Sequence, residues 1–160
     1  MIVIVMGVTG TGKTTVGRML AEQLGWEFME GDEFHPAANV EKMRQGIPLN
    51  DEDRRPWLER LRVEIAKRQA ERGNVVVACS ALKRSYREML AAGPAVKFVY
   101  LKGSEELISR RLQNRRGHFA GELILAGQFA DLEEPRDAIT VGIEATTVEI
   151  VKQIRERLSV

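Results

Sequence analysis

Residues Ile2–Leu20 read IVIVMGVTGTGKTTVGRML, a wholly apolar run, then Gly7, Gly10, Gly12 and Lys13, then a segment with helical spacing. Gly7-Val8-Thr9-Gly10-Thr11-Gly12-Lys13-Thr14 satisfies the phosphate-loop pattern GxxxxGK(S/T) in full, in the strand-then-helix context that the pattern requires. The composition has a physical cause. Successive backbone N–H groups must turn inward around a polyphosphate, and side chains would obstruct that turn. The helix that follows adds the positive end of its dipole. Lys13 is placed to reach the β- and γ-phosphates and the Thr14 hydroxyl to hold Mg²⁺. Thr15 completes the expected nucleotide-binding set with residues 7–14.

Outward from this loop, short apolar runs alternate with longer amphipathic segments. Ile2–Met6, Asn74–Ser80, Val96–Leu101 and Ala138–Ile143 are nearly continuous in apolar residues, as parallel strands covered on both faces are, and Glu27–Glu30 is a weaker strand candidate. Val16, Met19, Leu20 and Leu24 share a helical face, as do Trp57, Leu61 and Ile65 after Asn50, an expected N-cap. Ser104 opens another helix, and Thr146 with Glu149 forms a capping box. Strands alternating with helices predict a three-layer α/β fold around a parallel sheet. Residues 115–134 break the pattern. They are polar and carry Gly117, Gly121 and Gly127, which predicts a mobile lid; an ordinary irregular connection is the alternative.

The chain has 160 residues, a formal net charge of +1 and one cysteine, Cys79. These values predict a single domain over 1–160, no drive toward nucleic acid or membrane surfaces, and a reducing, cytoplasmic setting. The apolar start is too short for a signal sequence and has no basic lead. Neither Asn-Lys-x-Asp nor Asp-x-x-Gly occurs, which argues against a GTPase. The strand at 74–80 ends in Cys79-Ser80 rather than in the aspartate of a Walker B strand. A small domain with a lid and no switch fits a kinase of small molecules.

Three further clusters fall at expected strand ends or beside the lid. Glu30-Gly31-Asp32-Glu33-Phe34-His35 follows the weak strand, at the sheet edge where open α/β folds bind ligands. Asp32 is the candidate acceptor of the attacking hydroxyl's proton, with a helix cap as the alternative. His35 is placed to hydrogen-bond a polyol or a carboxylate, or is a structural loop histidine. Lys83, Arg84 and Arg87 follow the strand at 74–80 and suit an anionic substrate, against the plainer reading of a solvated basic face. Arg110, Arg111, Arg115 and Arg116 lead into the lid, where an arginine closing on the transferred group is worth about 10³–10⁵ in rate.

With these residues in view, the sequence resembles the thermoresistant-type gluconate kinases, small P-loop kinases related to shikimate and adenylate kinases. The resemblance runs in order through the phosphate loop, EGDEFHPAANVEKMRQGIPLNDEDRRPWL (30–58), VVACSALKRSYRE (76–88), FVYLKGS (98–104), RRGHF (115–119) and QFADLEEP (128–135). It implies a sheet of five parallel strands, a mobile lid, commonly a homodimer, and phosphorylation of D-gluconate at its 6-hydroxyl with ATP and Mg²⁺. It also implies that Asp32 and His35 lie on the substrate side, that Arg54, Lys83 and Arg84 line the acceptor pocket, that Arg111 meets the adenine, and that Arg115 faces the phosphates. The sequence departs from the family pattern at Ala120-Gly121, Gly127 and Gly142. A kinase for another small acceptor such as shikimate, or a nucleotide-binding regulatory module, remain the alternative readings.

Overall fold

The computed structural model describes residues 1–91, 93–114 and 118–160. Five parallel strands form one sheet: β1 (Ile2–Met6), β2 (Glu27–Glu30), β3 (Val75–Ala78), β4 (Val96–Lys102) and β5 (Ile139–Gly142), in the order β2-β3-β1-β4-β5. β1 is central, with Ile4 opposite Val77 of β3 on one side and Phe98 of β4 on the other. Its buried side chains alternate between two apolar layers. Val3 and Val5 join Val16 and Leu20 of α1 (Lys13–Leu24), Ile108 of α5 (Glu105–Gln113) and Val151 and Ile154 of α7 (Thr147–Leu158). Ile2, Ile4 and Met6 join Trp57, Leu61 and Ile65 of α3 (Asp51–Ala70) and Leu90 of α4 (Arg84–Leu90). The sheet is thus covered on both faces, which explains its continuous apolar strands.

The expected caps form. Asn50 accepts from Asp53 N–H and Asp53 returns the bond, closing a capping box on α3. Ser104 caps α5, and Thr146 with Glu149 closes the box on α7. α2 (Ala37–Arg44) and α4 were not marked by periodicity because each is too short to show an apolar stripe.

Within the segment at 115–134 the alternative of an irregular connection does not hold: His118–Asp131 is a helix, α6. The run Glu122–Ala126 consists of strong helix formers, apart from Ile124, and outweighs the flanking glycines. At Gly127 an added Cβ would lie 3.3 Å from the Pro48 ring, so this glycine lets α6 approach the α2–α3 connection.

A second glycine sets a closer approach. A Cβ on Gly31, just after β2, would lie 2.4 Å from the backbone oxygen of Ala78 at the end of β3. Gly31→Ala must push the two strand ends apart and should cost about 1–3 kcal/mol. The check is a lowered urea midpoint at unchanged slope.

Candidate active site

The loop between β1 and α1 turns at Gly10 and Gly12, whose φ values of +83° and +90° lie in the left-handed region. A Cβ on Gly10 would press on Ile108 at 3.0 Å, whereas the space around a Cβ on Gly12 is open. The loop is braced from within. The Thr11 hydroxyl and the Lys13 ammonium each donate to the Val8 carbonyl at 2.9 Å. Burial lowers the Lys13 pKa from the ordinary lysine value, and the negative charge of Asp32, then of Glu30, works to restore it. The Thr14 hydroxyl donates to a Glu30 carboxylate oxygen at the end of β2. Glu30 also accepts from Asp32 N–H, so Glu30 rather than Asp32 caps the 3₁₀ turn Gly31–Phe34. Thr14 and Glu30 are adjacent oxygen donors of the kind a hard divalent cation takes when phosphate and water supply its remaining ligands.

Beside the loop lies a cavity of about 130 Å³. Thr9 and Lys13 form its phosphate side, and Asp32, His35, Arg54 and Trp57 its polar floor. Met43, Ile47, Pro48 and Leu49 give it an apolar wall, and Ile124, Gly127 and Gln128 of α6 close it. Trp57 is a pin: its indole N–H donates to the Gly31 carbonyl at 2.8 Å, and its ring stacks on His35 at 4.1 Å. His35 is buried, and desolvation, followed by the nearby Arg54 charge, lowers its pKa to about 4.

Arg54 is buried at the other end of the floor. It donates to the Tyr86 hydroxyl at 3.0 Å and to Asp131 of α6 at 2.8 Å. Burial opposes its charge, but these two bonds outweigh burial and hold its pKa above the ordinary value. Tyr86 in turn donates to Asp51, which also accepts from Lys83 at 2.8 Å. Lys83 holds the Asp51 carboxyl below the usual range, with Tyr86 adding to the effect. α6 also reaches the phosphate loop, where the Gln128 carboxamide oxygen accepts from Thr9 N–H at 2.6 Å.

The structure therefore brings Lys13, Asp32, His35 and Arg54 into one cavity, with Thr14 next to Lys13 and hydrogen-bonded to Glu30. It does not bring in Lys83 or Arg84, neither of which is among the residues lining the cavity. Lys83 is turned toward Asp51, and Arg84 is an exposed residue of the first turn of α4 that pairs with Glu88. Arg111 donates to the Ile143 carbonyl at 2.7 Å, beside the end of β5. Arg115 lies outside the described residues. Glu30, Asn39, Tyr86, Gln128 and Asp131 were not singled out from sequence. All five stand inside the family blocks, but nothing in a polar residue's own neighbourhood reveals a partner 14 to 77 positions away. Gln128 has a partner 119 positions away. Among the described residues no helix is long and apolar enough to cross a membrane.

Fold, loop and cavity together define a P-loop kinase of small molecules. A family model described as an AAA domain matches residues 2–135. A probable gluconokinase of Xenopus tropicalis is 46% identical, over 96% of this chain and 91% of that protein. The thermoresistant gluconokinase of Escherichia coli is 41% identical, over 95% and 94%. The crystal structure of a gluconokinase from Sinorhizobium meliloti 1021 superposes with a TM-score of 0.87 at 44% identity, over 98% of this chain and 90% of that one. The chain belongs to the gluconokinase family.

The buried neutral His35 makes stability depend on pH. Its native pKa of about 4 lies below the unfolded value of 6.5, so between these values the unfolded chain binds the extra proton and stability falls as pH falls. Between about pH 7 and 5 the loss from this residue is roughly 2 kcal/mol. Urea unfolding at the two pH values should show that loss in the wild type and lack it in His35→Gln; equal pH dependence in both proteins would remove the assignment.

Proposed function

We propose that this protein transfers the γ-phosphoryl group of ATP to the 6-hydroxyl of D-gluconate, giving 6-phospho-D-gluconate and ADP. The observation that carries the reading is the convergence of Lys13, Asp32, His35 and Arg54 in one cavity beside the phosphate loop, in a chain of this family. The N–H groups of residues 7–14, with Thr15, hold the nucleotide phosphates. Mg²⁺ would be held by Thr14, with Glu30 beside it, and would supply neutralisation of the phosphate charge. Arg111 serves the adenine side.

On the acceptor side Arg54 takes the carboxylate, and the apolar wall of Met43, Ile47, Pro48 and Leu49 packs against the carbon chain. Asp32, whose side chain is 67% exposed, accepts the proton of the 6-hydroxyl as that oxygen bonds to phosphorus. The bond from phosphorus to the β–γ bridging oxygen breaks, and ADP leaves with the electron pair. Lys13 and Arg115 stabilise the charge on the moving group. Residues 115–134 act as a lid, which includes α6. Gln128 on the phosphate loop and Asp131 on Arg54 tie that helix to both substrate sides, and closure excludes the water that would hydrolyse ATP. Shikimate or another small acceptor is not favoured, because relatives at this identity are gluconokinases. A regulatory module without transfer chemistry is not favoured either, because Lys13 and Asp32 are both in place.

The test is ADP release from MgATP with gluconate, shikimate, related sugar acids or no acceptor. Stimulation by gluconate is expected, and stimulation by another acceptor alone would replace the substrate. Lys13→Ala should lower kcat by about 10³-fold while leaving the circular dichroism spectrum unchanged. Asp32→Asn should lower kcat by about 10²–10⁴-fold with little change in the gluconate KM; a change confined to KM would make Asp32 a binding residue only.

A further inference from the structure

Asn39 of α2 is buried, and its carboxamide nitrogen makes two contacts, 2.7 Å to the backbone oxygen of Asp53 and 3.1 Å to Nδ1 of His35. The first contact orients the amide. A carbonyl oxygen only accepts, and the reversed carboxamide would set oxygen against oxygen at the same place. The second contact then fixes the imidazole. An amide NH₂ only donates, so Nδ1 of His35 must accept, and the proton of the neutral ring resides on Nε2. Trp57 stacks on the ring with an interplanar angle of 17°, which limits any turning of the imidazole about its own axis. Nε2 lies 3.9 Å from Oδ1 of Asp32, too far for a direct hydrogen bond.

We propose that Asn39 is a positioning residue that locks His35 as the Nε2–H tautomer, so that His35 and Asp32 bracket one hydroxyl of the acceptor. The hydroxyl accepts from Nε2–H and donates to the Asp32 carboxylate. An oxygen at ordinary hydrogen-bond distance from both atoms sees them about 90° apart, within the range a hydroxyl's O–H and lone pair accommodate. This bracket rests on the acceptor reading above and sharpens it. A hydroxyl both donates and accepts, a keto oxygen does not donate, and a deoxy carbon does neither. The site therefore discriminates against acceptors oxidised or deoxygenated at that carbon, because each leaves a polar group of the bracket unpaired. His35 is then a neutral donor and not the general base, which leaves the proton to Asp32.

Two measurements test this. The first is the ¹⁵N spectrum of the ligand-free wild-type protein near neutral pH, with the His35 signals assigned by their loss in His35→Gln. An unprotonated Nδ1 and a protonated Nε2 are expected; the opposite tautomer or a doubly protonated ring overturns the proposal. This arm needs no Asn39 variant to fold. The second is a double-mutant cycle. A glutamine at position 35 supplies a donor near the place of Nε2 without a tautomer to fix. Asn39→Ala should lower kcat/KM for gluconate about tenfold in the wild-type background, with the ATP KM unchanged, and less than about twofold in His35→Gln. Equal losses in the two backgrounds overturn the proposal, because they mean that Asn39 acts on folding alone. An Nε2–H ring in a protein with no gluconate-stimulated ADP release would refute the assigned acceptor while upholding the lock. A Nδ1–H ring in an active gluconate kinase would do the reverse.

Discussion

The constraint on which the rest depends is the inward turn of backbone N–H groups at the end of β1. A polyphosphate is held there only if the chain reverses tightly between the central strand and α1. That turn takes left-handed conformations at Gly10 and Gly12. The sheet supplies the rigidity. β1 is paired on both sides, so its carboxyl end is fixed, and Gly7 N–H is held by the Ser80 carbonyl beyond β3 at 3.3 Å. Parallel strands put all their carboxyl ends on one edge. The end of β2 consequently delivers Glu30 and Asp32 beside the loop, and the end of β3 delivers Ser80.

The acceptor side is organised by α3. Three of its residues each tie a different element to the cavity. Asp53 receives Asn39 of α2 on its backbone oxygen, Arg54 reaches Asp131 of α6, and Trp57 pins Gly31 and His35. The charges in this region alternate from Lys83 to Asp51, through Tyr86 to Arg54 and on to Asp131. Alternation leaves each ionised group in the chain with a partner, and a buried cation without one would be strongly destabilising. It also joins α6 to α3 through Arg54 and Asp131.

The two halves of the site use opposite strategies. The phosphate half relies on backbone dipoles and one ammonium, which suits a ligand whose charge is large and whose shape is fixed. The acceptor half relies on side chains of different elements, with donors and acceptors placed singly, which suits a neutral polyol chain ending in one carboxylate. At their seam Lys13 feels the charge of Asp32 across the cavity, and the proposed transfer is placed there.

Local signals in the sequence match the structure where the physics is local. The phosphate loop, the caps at Asn50, Ser104 and Thr146, and the strands of the parallel sheet each depend on residues within a few positions of one another. A β-bounded glycine turn or a capping box is therefore complete in the sequence. Resemblance added the family, and with it the acceptor. The tertiary structure alone decided what the polar residues between these elements do. It placed Arg54 in the cavity, turned Lys83 toward Asp51 and left Arg84 outside, although all three have the same charge and stand in equally suggestive blocks. It set Gly127 of α6 against Pro48, where an added Cβ would lie 3.3 Å from the ring. It also set Asn39 between His35 and Asp53, which fixes where a proton resides. A side chain's partner depends on the path of the whole chain, and that path is settled by burying both faces of the sheet together.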